Sequence, residues 1–136
     1  MRIFVDNCLS YVLASTLNGY VTHLGHTAVH IRNMRCGPHA SDVEWMAALR
    51  ETGDDWLVIT GDLRISKNRP ERLAFAKANL KGIALAPGYQ SLRVHQQASI
   101  ILWRWPDIEN AVAQFQPPFL FELPVGKNTG LRALRL

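Results

Sequence analysis

The run Trp56-Leu57-Val58-Ile59-Thr60 constrains this chain more than any other feature. It is continuous, apolar and rich in β-branched residues, the pattern of a strand buried on both faces. Such a strand needs a layer of structure on each side of its sheet. It stops at Gly61-Asp62. A shorter run, Ile3-Phe4-Val5 after Arg2, stops as abruptly at Asp6-Asn7. Helical patterns alternate with strand patterns along the rest of the chain. That order predicts an α/β fold in which a parallel sheet is covered on both faces, with right-handed crossovers.

The remaining elements follow from caps and breakers. Ser10 caps a helix through Tyr11, Leu13, Ala14 and Leu17, closing near Gly19. Val29-His30-Ile31 reads as a strand, and residues 32–40, with Gly37-Pro38, as a loop. Ser41-Asp42-Val43-Glu44 is a capping box that opens a helix ending at Gly53. Pro70 suits the first turn of a helix that runs through Leu73, Phe75 and Leu80 to Gly82. Ile83–Ala86 is a short strand. Helical stretches cover about 92–105 and 106–115, Phe119–Leu123 is a last strand, and 124–136 reads as a basic C-terminal tail. At 136 residues and 48% hydrophobic, residues 1–136 form one domain.

Composition narrows the function classes. Cys8 and Cys36 are too few for a disulfide scaffold and predict reduced thiols. The start MRIFVDNC lacks the pattern of a secretory leader, and the longest apolar run, around Ala98–Trp103, is far short of a membrane span. A cytoplasmic protein with no membrane partner is expected. Fifteen Lys+Arg against eleven Asp+Glu give a net charge of +4, and a pI near 9.4 permits a nucleic-acid partner.

Three aspartates stand at equivalent places. Asp6 follows the first strand directly and Asp62 follows the central strand after one glycine. Asp42 starts the helix that leads into the central strand, so it lies past the carboxyl end of the strand near Val29–Ile31. Ligands of open parallel sheets bind outside the carboxyl ends of the strands, where the strand order reverses. If the first and central strands are neighbours, all three carboxylates meet in one crevice. Clustered carboxylates repel, and a hard divalent cation, Mg²⁺ or Mn²⁺, relieves that repulsion through oxygen ligands. Such an ion suits the hydrolysis of a phosphodiester. Asn7, Thr60 and Glu44 are auxiliary candidates, although the capping box accounts for Glu44. Asp54-Asp55 precedes its strand and belongs to the opposite edge.

Arg64, Lys67, Arg69, Arg72, Lys77 and Lys81 crowd residues 64–81, opposed only by Glu71. Arg64, Lys67, Arg69 and Arg72 are the expected contacts to a phosphate backbone. The five histidines have no zinc-ligand spacing, no glycine loop suits a nucleotide, and no nucleophile elbow is present. A receiver domain would require an acidic pair after the first strand, where this chain has Asp6-Asn7.

FVDN, SDVEW, VITGDLRI, RPERLAF, LAPGY, LWRWP and FELPVG, in that order, resemble the PIN-like domains of VapC-type toxins over nearly the whole chain. The resemblance implies a three-layer α/β/α sandwich with a central, mainly parallel sheet. It also implies a metal-dependent endoribonuclease, the toxin of a toxin–antitoxin pair, with Asp6, Asp42 and Asp62 as catalytic metal ligands. RNA, an antitoxin protein and a second copy of the chain are then the expected partners. The family's further acid, on a helix between the first two, has no counterpart between Asp6 and Asp42, and Arg64 stands where many relatives carry an acid. These departures leave an alternative, a catalytically degenerate module that binds RNA or protein.

Overall fold

The computed structural model describes all 136 residues. Its strands are β1 (Arg2–Val5), β2 (Thr27–His30), β3 (Trp56–Thr60), β4 (Lys81–Leu85), β5 (Phe119–Leu123) and β6 (Arg132–Ala133). The helices are α1 (Tyr11–Val21), α2 (Asp42–Thr52), α3 (Arg64–Lys67), α4 (Arg69–Lys77), α5 (Val94–Trp103) and α6 (Trp105–Gln114). One sheet runs in the order β2-β1-β3-β4-β5-β6. All neighbours are parallel except β5 and β6. The first and central strands are therefore adjacent, with Val5 opposite Ile59. The order reverses between β1 and β3, and this crevice is where such sheets bind ligands.

Side-chain alternation divides the core in two. Ile3, Val5, Leu57, Ile59, Ile83 and Leu85 face α1, α5 and α6 through Leu13, Leu17, Ile101, Trp105 and Ile108. Phe4, Trp56, Val58 and Ala84 face α2 and α4 through Trp45, Met46, Leu49 and Phe75. Every residue of β3 is buried, as a central strand with helices on both sides requires. The result is the expected α/β/α sandwich. Gly82 in β4 lets the second layer close. A Cβ there would meet Leu120 at 2.6 Å and Phe75 at 2.7 Å, inside any real carbon contact.

Local signals largely set the helix starts. Ser10 accepts from the Val12 amide, Ser41 from that of Glu44, and Asn68 from that of Glu71. Gly19 lies near the end of α1, which continues two residues to Val21 because Leu17 and Val21 are both buried against the sheet. The second strand begins earlier than its apolar pattern suggests, at Thr27, paired with Arg2. Ile31 instead enters a 3-10 turn, Ile31–Asn33.

Residues 124–136 are not a free tail. β6 pairs with β5, Phe121 opposite Ala133. Arg104, only 3% exposed, donates to the carbonyls of Gly126 (2.8 Å) and Thr129 (2.6 Å) and to Asp107 (2.7 Å). A basic composition conceals this because the order comes from backbone pairing and from a buried arginine supplied by another segment. No helix is long and apolar enough to cross a membrane.

Candidate metal centre

Each site acid is placed by a different local rule. Asp6 continues the β1 ladder, its amide donating to Ile59 O at 3.1 Å. Its carboxylate is buried and accepts from the Thr60 hydroxyl at 2.9 Å, the Asn7 amide at 2.6 Å and the Cys8 thiol at 3.5 Å. The same Thr60 hydroxyl accepts from the Asp62 amide at 3.0 Å. One side chain at the end of β3 thus ties the first acid to the turn that carries the other. Asp42, the first residue of α2, accepts from the Trp45 indole at 2.9 Å. Trp45 is wholly buried and stacks on Phe4 with ring centroids 4.6 Å apart. The core therefore aims Asp42.

The tight acidic group is Asp42, Asp62 and Glu71, with a carboxylate oxygen of each within 4.8 Å of the others. Asp6 lies beside this group, near enough to raise the pKa of Asp42. Of the three expected acids, Asp42 and Asp62 belong to this group and Asp6 stands outside it; its third member is Glu71, an acid read from the sequence as a lone opposing charge in a basic segment. Glu71 is in the first turn of α4, after the Asn68 cap and Pro70. The signal that could have found it is the one that found Asp42: an acid in the opening turn of a helix leaving the carboxyl edge of the sheet.

The electrostatics are those of a site short of positive charge. Two carboxylates this close repel by roughly 3 kcal/mol at an effective dielectric of about 20. Burial raises the pKa of Asp42, with Asp6 and Asp62 adding to the rise against the opposing Trp45 hydrogen bond. Burial also raises that of Glu71, helped by the charges of Asp42 and Asp62. Asp62 moves down, chiefly through Arg64. The Arg64 Nε donates to Asp62 Oδ1 and Nη2 to Oδ2, each at 2.9 Å, while most of the arginine side chain stays in solvent. Oε2 of Glu71 is the one buried side-chain nitrogen or oxygen without a hydrogen-bond partner. An orphaned buried oxygen beside two further carboxylates fits a hard, oxygen-seeking divalent cation, and the absence of nitrogen or sulfur from the group argues against a soft one.

The other candidates fall outside this group. Glu44 is exposed and exchanges cap hydrogen bonds with Ser41. Asn7 is exposed and meets Asp6 through its backbone. Lys67 and Arg69 are exposed where α3 passes into α4, and Arg72 donates to Ser66 O at 3.3 Å. Asp54 and Asp55 pair with Arg2 and Lys81 at the opposite edge.

No curated protein and no solved structure matches the chain. The family model of the PIN-like domain matches residues 1–87, the span from β1 to just past β4 that carries Asp6, Asp42, Asp62 and Glu71. With more than half of its length matched and its acids gathered where the sheet order reverses, this chain belongs to the PIN-like domain family.

Proposed function

We propose that the protein is a Mg²⁺- or Mn²⁺-dependent endoribonuclease. The observation that carries this reading is the junction of Asp42, Asp62 and Glu71 around an unpartnered buried oxygen. These three side chains would hold the ion, with Asp6 beside them. Glu71 would supply a further carboxylate in a chain that lacks one between Asp6 and Asp42. A bound divalent ion supplies Lewis acidity, which makes water a stronger acid and neutralises charge on a phosphodiester. The chain's own groups orient the reaction. Thr60 holds the two strand-end acids at a set separation, Trp45 aims Asp42, and Arg64 presents exposed guanidinium donors at the rim. Lys67 and Arg69 would follow the RNA backbone.

We further propose, from the order of motifs that resembles VapC-type toxins, a role as the toxin of a toxin–antitoxin pair, acting in the cytoplasm with an antitoxin protein and a second copy as partners. A small DNA-binding protein encoded next to this chain would support that role. One observation favours the alternative of a non-cutting binding module: Arg64 already places a counter-charge on both oxygens of Asp62.

Thermal melts and cleavage of a labelled RNA, with and without Mn²⁺, decide between the two. Mn²⁺ should raise the melting temperature of the parent but not of Asp62→Asn or Glu71→Gln, and cutting should require both the ion and the acids. RNA binding with no Mn²⁺ shift and no cutting would establish the binding module instead.

A further inference from the structure

We propose, on the nuclease reading, that Cys8 is a positioning residue of the acidic site: its sulfur fastens the turn that carries Asp62 to the buried carboxylate of Asp6.

Cys8 lies in the turn that follows β1, and its Sγ reaches across to the end of β3. It accepts from the Gly61 amide at 3.0 Å and donates to Asp6 Oδ2 at 3.5 Å. The Thr60 hydroxyl oxygen is 3.6 Å away. Thr60 makes a parallel connection, since its hydroxyl accepts from the Asp62 amide and donates to the same Asp6 Oδ2. Both amides of the Gly61-Asp62 turn are thus tied to one carboxylate oxygen, one through a hydroxyl and the other through a thiol. Asp6 suits this double duty. It is buried, and its other oxygen accepts from the Asn7 amide, so its orientation is set. Hydrogen bonds onto an ionised carboxylate are the stronger kind.

The sulfur is itself held in place. The Leu9 amide donates to the Asp6 carbonyl at 3.0 Å, which closes the turn around Cys8. The Leu9 side chain is buried in the core, and its carbonyl accepts from Nε2 of the buried His30 at 2.8 Å. Cys8 is therefore presented by a braced loop.

The turn it fastens is under opposing pulls. The Asp62 carboxylate is gathered with those of Asp42 and Glu71, which repel it. Arg64, mostly in solvent, draws on both of its oxygens. Gly61 brings no side chain that could pack, so the two tied amides do much of the holding. With one released, Asp62 is free to follow Arg64 outward, and the junction of acids loosens while the core stays intact. A serine oxygen, on a shorter bond, does not span both contacts at once. Sulfur serves here for its reach.

The test is calorimetric titration of the full chain with Mn²⁺, with thermal melts and amide exchange measured in parallel. Cys8→Ala should bind Mn²⁺ about tenfold more weakly. It should also open the Gly61 amide to exchange while the amides of β3 stay protected. Cys8→Ser should lose less, a few-fold in affinity. Cys36→Ala, at the other free thiol, should match the parent. At saturating Mn²⁺ the RNA cleavage rate of Cys8→Ala should return toward that of the parent, because no group touching the substrate is removed. Either Cys8 variant binding Mn²⁺ as tightly as the parent would overturn the proposal, even if it melts lower, and so would an unchanged Gly61 amide in Cys8→Ala. If Cys8→Ala does not fold, the affinity of Cys8→Ser decides. If the parent binds Mn²⁺ and cuts RNA while the variants match its affinity, only the role of Cys8 falls. If the parent binds no Mn²⁺, the nuclease reading falls and this role with it.

Discussion

The indole N–H of Trp45 donates to Oδ1 of Asp42 across 2.9 Å, so a residue whose ring is locked in the core sets the direction of a site acid. Trp45→Phe retains an aromatic ring over Phe4 but removes that donor. It should cost roughly 2 kcal/mol of stability through lost packing. It should also weaken Mn²⁺ binding by about tenfold or more, the usual price of releasing a ligand's orienting partner. Calorimetric titration of the two folded proteins checks this. Equal Mn²⁺ affinity would show that Asp42 needs no aiming.

Arg64 acts on Asp62 in the opposite sense. Its two donors hold the carboxylate ionised and also place a positive charge where a cation would bind. Arg64→Gln should tighten Mn²⁺ binding several-fold at low salt, because the competing charge is removed. If RNA cleavage falls while Mn²⁺ affinity rises, the arginine serves the substrate. Weaker Mn²⁺ binding would mean that it positions Asp62 instead.

The raised carboxyls of Asp42 and Glu71 predict an unusual pH dependence for the metal-free protein. An acid whose pKa is higher folded than unfolded binds its proton more readily when folded. Stability then grows as pH falls through the raised value, and the gain is complete below the ordinary carboxylate range, about 4. Asp62, whose pKa is lowered, contributes stability above that range and loses it as pH falls through its own folded value. The metal-free melting temperature should therefore rise from neutral pH into mild acid and drop in stronger acid. Glu71→Gln should blunt the rise and add about 1 kcal/mol at neutral pH, since a neutral amide suits the buried position better than an unpartnered charge. A parent whose melting temperature stays flat into mild acid would contradict this.

Lys67 and Arg69 are exposed on the segment that leads into Glu71. Reversing both to Glu should leave Mn²⁺ affinity nearly unchanged. If each contacts a phosphate, the slope of log affinity for single-stranded RNA against log salt should shrink by about 1.4. Binding measured at several salt concentrations reads that slope directly, and an unchanged slope would remove both side chains from the RNA path.

Arg104 ties the C-terminal segment to the start of α6. Arg104→Met should cost about 3 kcal/mol, because two carbonyls lose a charged donor. It should also free the amides of residues 124–134 to exchange with solvent while those of β3 stay protected. Retained protection across 124–134 would show that β6 pairing alone holds the segment.

The apolar run of β3, the alternation of strands and helices, and the side-chain caps at Ser10 and Ser41 were legible in the sequence because each depends on a few neighbouring residues. The sheet edge that carries Asp6, Asp42 and Asp62 was legible as well, since the carboxyl end of a strand and the first turn of a following helix share one edge by construction. Glu71 obeys the same rule, yet the surrounding arginines and lysines make it look like an isolated counter-charge. Only folding shows that its carboxyl turns toward Asp42 and Asp62 while Lys67 and Arg69 face water.

What the sequence determined by itself was the layered architecture and the edge at which its acids collect, because period, caps and breakers are local properties of the chain. The tertiary structure decided which acids meet, and which stand apart with other partners. It also decided that Arg64 grips Asp62, that Arg32 lies on Tyr11, and that residues 124–136 are fastened by Arg104 and β5. Those relationships join residues from separate segments, and their distances exist only once the strands have paired and the helices have packed.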